Sequence, residues 1–260
     1  MKLAPRTWGV SEEKGKTVLG YRQKRENDAP HRVRRVSYYD TLKELKSLSD
    51  SKAIQGMAKY GITPERTYGV SIPNLRNIAR KIGKDHRLAQ QLWTEDIRET
   101  RILASIIDDP SEVSEEQMER WVKDFDYWEI CDQCCMNLFE KTKLAYQKCA
   151  QWSSREEEFV KRAGFVLMAR LAVSDKKADD ERFERLLPLI KREASDDRNF
   201  VKKAVNWALR QIGKRNIDLN RTAIETAKEI QQMDSRSARW IAHDAIRELT
   251  SDDVQQRLKN

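Results

Sequence analysis

The pentapeptide Phe159-Val-Lys-Arg-Ala163 recurs as Phe200-Val-Lys-Lys-Ala204, 41 residues further on, and each copy sits early in a long stretch of helical periodicity. A weaker echo relates Ala208-Leu-Arg-Gln-Ile212 to Ala245-Ile-Arg-Glu-Leu249. A period near 40 with two amphipathic helices per unit restricts the chain to stacked helical pairs. One such pair cannot bury its apolar face alone, so neighbours must share a continuous core and leave a long surface for a large ligand. The spacing matches HEAT-type pairs of about 40–47 residues better than units of about 34. Two short matches between basic helices are also open to chance, so the rest of the sequence has to agree.

It does agree. With nine Gly and six Pro in 260 residues the chain is poor in turn formers, and no segment alternates as a strand does. Helical patterns run over residues 41–48, 54–60, 73–82, 85–93, 96–107, 114–122, 127–139, 143–152, 156–173, 179–194, 198–214, 219–232 and 235–250. Asp40 or Thr41 is the expected first cap, and Pro73 and Gly83 bracket the third helix. The expected fold is therefore all-α, an α-solenoid of stacked HEAT-like helical repeats over residues 41–260 with a concave binding face, preceded by an arm over residues 1–40.

Charge is uneven along the chain. Residues 1–40 hold ten Lys/Arg against five Asp/Glu and so carry +5 of the +8 net charge. The remainder is nearly balanced, and an anionic partner must be held by a local face, with or without the arm. The arm reads first as a solvated or partly disordered leader and second as a phosphate-contacting segment, while its acids count against a transit peptide. No apolar run reaches the roughly 18 residues of a membrane span, and the N-terminus lacks a signal core.

Several chemistries drop out. There is no glycine-rich phosphate loop and no His-Glu-x-x-His, and the only histidines are His31, His86 and His243. Cys131 and Cys134 form a C-x-x-C beside Cys135, with Cys149 apart, but inside a helical pattern and without a second pair they read as buried thiols rather than metal ligands. Trp128 and Asp132 are one helical turn apart and share a face, which sets a carboxylate beside an indole. Taken alone they also fit a core aromatic and a solvated acid. Trp207, one turn from Lys203 and Arg210, fits either core or a basic surface, and Lys161 and Arg162 fit solvated charge.

In order along the chain, Met57-Ala-Lys-Tyr60, Trp128-x-x-x-Asp132, Phe159-Val-Lys-Arg162-Ala163 and Lys203-Ala-Val-Asn-Trp207-Ala-Leu-Arg210 resemble the AlkD-type DNA alkylation repair glycosylases over about residues 42–250. The resemblance implies a monofunctional glycosylase that hydrolyses the N-glycosidic bond of N3- or N7-alkylated purines in double-stranded DNA. It implies Asp132 as catalytic carboxylate, Trp128 and Trp207 lining the lesion cleft, and Arg162 gripping DNA beside the reacting nucleotide. Tyr60 is implied as a further aromatic of that cleft, and Lys161, Lys203 and Arg210 as DNA contacts. No cofactor or metal is expected, nor a membrane; the expected state is a monomer, cytoplasmic and associated with the nucleoid when bound. The alternative is a non-enzymatic HEAT-repeat protein that binds damaged or branched DNA.

Overall fold

The computed structural model describes residues 36–62 and 64–259, which form one compact unit. The basic arm, apart from its last five residues, lies outside the described residues. No strand occurs among the described residues, which pass through fifteen α-helices. These are α1 (Tyr38–Ser47), α2 (Ser51–Met57), α3 (Ile72–Ile82), α4 (His86–Trp93), α5 (Arg98–Ile107), α6 (Glu115–Lys123), α7 (Trp128–Asn137), α8 (Ala145–Ser153), α9 (Glu158–Ser174), α10 (Asp180–Glu184), α11 (Leu187–Arg192), α12 (Asn199–Gly213), α13 (Ile217–Gln231), α14 (Arg236–Leu249) and α15 (Asp252–Lys259).

The helices form two layers. In the front layer α3, α5, α7, α9, α12 and α14 pack side by side in that order. Behind them α4 backs α5, α8 backs α9, and α13 spans α12 and α14. Front-layer neighbours run parallel, as successive pairs of a solenoid must. Between α12 and α14, Asn206 meets Asp244 and Arg210 meets Glu248, each 38 residues apart, and Lys202 meets Trp240 in the same register. Between α7 and α9 the thiols of Cys131 and Cys135 reach the carbonyls of Phe159 and Ala163 at one constant offset.

α9 sits at the centre. Val160 to Ala169 are all buried, because α7, α8 and α12 enclose the helix on three sides. Its Gly164 is a packing requirement: a Cβ there would stand 2.6 Å from the Ser153 backbone nitrogen, which no side-chain rotation relieves. Farther along, the Trp93 and Trp121 rings stack 3.9 Å apart and almost parallel, anchoring the core between α4 and α6.

Three expectations about elements need correction. The first helix starts earlier, because Ser37 rather than Asp40 or Thr41 is its cap and accepts from the Asp40 amide. The second starts at Ser51, where the Asp50 carboxylate accepts from the Lys52 and Ala53 amides. The single helix expected over 179–194 is two, since Pro188 has no N–H to give Glu184 and α10 ends there.

Candidate functional site

The first turn of α7 is fixed from below by a buried ionic network. Arg98 Nε and Nη2 donate to the two Glu129 carboxylate oxygens, each at 2.7 Å, and Nη1 donates to Glu99 and to the Val70 carbonyl, each at 2.9 Å. Glu99 in turn accepts from Thr67 Oγ1 and the Tyr68 and Val70 amides. Burial works against the Arg98 charge, but Glu129 and Glu99 outweigh it and hold the guanidinium above its usual basicity. The loop before α3, helix α5 and the start of α7 are thereby locked together.

Trp128 opens α7 directly above that lock. Its indole Nε1 donates to the Tyr60 carbonyl at 2.9 Å. Gly61 follows in a left-handed conformation, φ 68°, ending the short 3₁₀ turn so that this carbonyl faces the indole. Tyr60 itself is 75% exposed. A Cβ on Gly61 would lie 3.6 Å from Trp128 Nε1 and 3.9 Å from Phe200 Cζ, so Trp128 and Phe200 meet at this turn. Phe200 packs on Phe159, with ring centroids 5.5 Å apart.

One turn beyond Trp128, Asp132 forms a two-pronged pair with Arg162. Nε reaches Oδ1 at 2.9 Å and Nη2 reaches Oδ2 at 2.8 Å. The third arm, Nη1, donates to the Phe200 carbonyl at 2.7 Å and ties α9 to α12. The Asp132 side chain keeps 20% of its surface exposed and that of Arg162 only 8%. Burial pushes the Asp132 carboxyl above the ordinary value, and Arg162 opposes that rise without cancelling it. For Arg162, Asp132 overcomes the cost of burial and raises the guanidinium. Each carboxylate oxygen accepts one bond from the arginine and retains capacity for a second partner. A partly exposed carboxylate clamped from behind, beside two aromatics, is suited to face a cation.

The other residues singled out in the sequence separate. Arg162 is not available as a surface grip, because its guanidinium is buried and bonded to Asp132 and Phe200. Lys161, 6% exposed, is tied to Glu193 at 2.7 Å and Asp196 at 3.3 Å, so it is neither solvated nor turned to a ligand. Arg210 is paired with Glu248 and Asp244. Trp207 shares a helix face with Phe200 but stands two turns, about 10 Å, further along α12. Its Nε1 lies 3.1 Å from the Gln211 side-chain amide. Phe200, which the sequence reading did not single out, is the aromatic of α12 that meets Trp128 at the Gly61 turn. Of the basic candidates, Lys203 is the exposed one. The repeat itself was the signal for Phe200, which copies Phe159 and meets it ring to ring.

The four cysteines are buried thiols, and burial pushes those of Cys134, Cys135 and Cys149 up. No group of three or more His, Cys, Asp or Glu among the described residues is arranged to hold a metal ion.

The family model for "DNA alkylation repair enzyme" matches residues 41–249, which spans α7, α9, α12 and the whole site. The chain belongs to the DNA alkylation repair enzyme family. Among curated proteins, an uncharacterized protein of Listeria innocua serovar 6a, Lin0241, is 25% identical over 191 residues, covering 72% of this chain and 83% of that protein. Among solved structures, one described as "a new family of proteins related to the HEAT-like repeat DNA glycosylases with affinity for branched DNA structures" superposes with a TM-score of 0.67. It is 20% identical and covers 81% of this chain and 94% of its own, a likeness of fold. The family member described here is thus an all-α, HEAT-like solenoid. No helix among its described residues is long and apolar enough to cross a membrane.

Proposed function

We propose that this member of the family is a monofunctional, cofactor-independent DNA glycosylase, acting as a monomer on N3- and N7-alkylated purines in duplex DNA. The observation that carries the reading is the Asp132 carboxylate, partly exposed beside Trp128 and clamped by Arg162. Alkylation at N3 or N7 gives the purine a formal positive charge, so the base leaves readily and needs no strong acid. The demand falls on the sugar, which becomes oxocarbenium-like as the bond breaks. A charge pair about 4 Å apart at an effective dielectric of about 20 is worth roughly 4 kcal/mol. That is of the order of a thousandfold in rate when gained only in the transition state. The Arg162 cation behind the carboxylate takes back part of this, being farther from the sugar than the oxygens it holds. Water then adds to C1′, its proton passing to Asp132 or solvent, and the base departs neutral.

In this reading Trp128 and Phe200 bear on the nucleotide, and Tyr60 reaches it from the neighbouring turn. Arg162 is a positioning residue for Asp132, while Lys203 contacts phosphate. The non-enzymatic alternative, binding of damaged or branched DNA, requires neither the carboxylate nor its clamp, and both are present. Release of 7-methylguanine and 3-methyladenine from methylated duplex DNA, by the chain and by Asp132→Asn, is the test. We expect release by the first and at least a hundredfold slower release by the second, with DNA affinity kept. Equal rates would remove Asp132 from the chemistry, and no release by either would favour the binding alternative.

A further inference from the structure

Past Phe200 the front layer carries a feature that the Asp132 site does not use. α14 exposes Arg236, Trp240, His243 and Arg247 at spacings of four, three and four residues, which puts all four in one narrow stripe. At 1.5 Å per residue the stripe is about 16 Å long. Trp240 is 43% exposed, whereas Trp93, Trp121 and Trp152 are buried in the core. The Lys202 ammonium of α12 stands 5.2 Å from the Trp240 ring centroid, and Lys203 beside it is exposed. Of the acids of α14, Glu248 is engaged outside the stripe, and Asp244 offsets Arg247 alone. Asp244 accepts from Asn206 at 2.7 Å and from Arg247, and Glu248 accepts from Arg210 and from Lys214 at 2.5 Å.

A lone flat aromatic ringed by cations is poorly suited to a protein partner, which would ask for a broader apolar patch. It suits a nucleic acid strand whose base lies flat on the indole while the flanking phosphates meet the cations. A base inside an intact duplex is stacked on both faces, so the base in question must be unpaired. We infer that the α14 stripe is a binding site for unpaired nucleotides of DNA, with Trp240 as the stacking platform and Arg236, His243 and Arg247 on the adjoining phosphates. The inference rests on the reading that the chain binds DNA, but not on catalysis at Asp132. From α7 to α14 there are three helix-to-helix steps, about 25–30 Å at roughly 8–10 Å each. A duplex seated at Asp132 therefore reaches the stripe some seven to nine base pairs away, at about 3.4 Å per pair.

The test compares binding of a blunt duplex and of the same duplex with a single-stranded thymidine arm, at matched salt, for the full chain, Trp240→Ala and Trp240→Phe. Trp240→Ala is expected to weaken arm-bearing DNA about tenfold or more and blunt duplex by less than about twofold. Trp240→Phe is expected to keep most of the affinity, and 5-iodouracil in the arm is expected to photocross-link to the peptide containing Trp240. Equal loss on both DNAs, or no loss on the armed one, overturns the inference. Base release from blunt methylated duplex by the same variants separates the two readings. Release that persists while arm discrimination is missing ends the inference alone. Arm binding through Trp240 without any release ends the glycosylase reading alone, and a chain that binds neither DNA ends both.

Discussion

At the scale of single residues, the pairing of Asp132 with Arg162 decides how the site works. The one-turn spacing of Trp128 and Asp132 was legible in the sequence, because helix periodicity alone puts them on one face. What Arg162 does was not legible. A sequence displays a charge but not the carboxylate 30 residues away on another helix that will claim it. On the proposed reading an arginine bound in this way acts on ionisation rather than on DNA phosphates, and that has a pH signature. Burial raises the Asp132 carboxyl above its ordinary 3.8, and the guanidinium resists the rise. On the proposed reading the ionised form does the work, so base release should be present above the folded-state pKa and be lost as pH falls through it. Arg162→Gln removes the resistance, the pKa climbs further, and the acid limb of single-turnover release moves to higher pH. Asp132→Asn has no such limb. The salt dependence of DNA binding should barely change in Arg162→Gln, since no phosphate contact is lost. A steep change in that slope with an unmoved acid limb would return Arg162 to the role of a phosphate grip.

At the scale of elements, capping and breaking signals were legible where the chemistry is local. Pro73 and Gly83 bracket α3 as their residue types demand, with Ser71 capping it. α15 escaped notice for a physical reason: only Val254 of its eight residues is buried, so it prints almost no apolar period. The Arg98 network escaped too, because Arg98, Glu99 and Glu129 look like ordinary surface charge until three segments converge on them. Their burial makes the network a strong requirement on folding. Replacing Arg98 by Met leaves Glu99 and Glu129 buried without their cation, and removing one partner of a buried pair costs about 3–5 kcal/mol. The urea midpoint should drop accordingly with little change in slope. Base release should suffer as well, because Glu129 lies next to Trp128 in the turn that the network fixes. A loss below about 1 kcal/mol would mean that water or the loop before α3 compensates the orphaned carboxylates.

At the scale of the whole molecule, the period near 40 was enough to read the solenoid, while the site depended on register, which no count of residues supplies. The same layered construction bears on what the protein accepts as substrate. Trp128, Asp132 and Phe200 come from the first two turns of α7 and the first turn of α12, with Arg162 of α9 between them and the Tyr60–Gly61 turn alongside. They form a row along one layer instead of the walls of an enclosed base pocket. An enzyme that extrudes its base and reads it in a snug pocket must discriminate by size. There a single extra methylene is worth about 1–3 kcal/mol, or 10–200-fold. On the proposed reading the row recognises the positive charge and the sugar and has no such wall, so bulk on the base should project away from the chemistry. Duplexes carrying N7-methylguanine, N7-ethylguanine and a larger N7 adduct should therefore be released at single-turnover rates within about tenfold of one another, because each leaves as the same kind of cationic base. A rate that falls by tenfold or more with each added carbon would reveal a size-selective pocket around Trp128, and the cationic sugar would then be only part of what this site recognises.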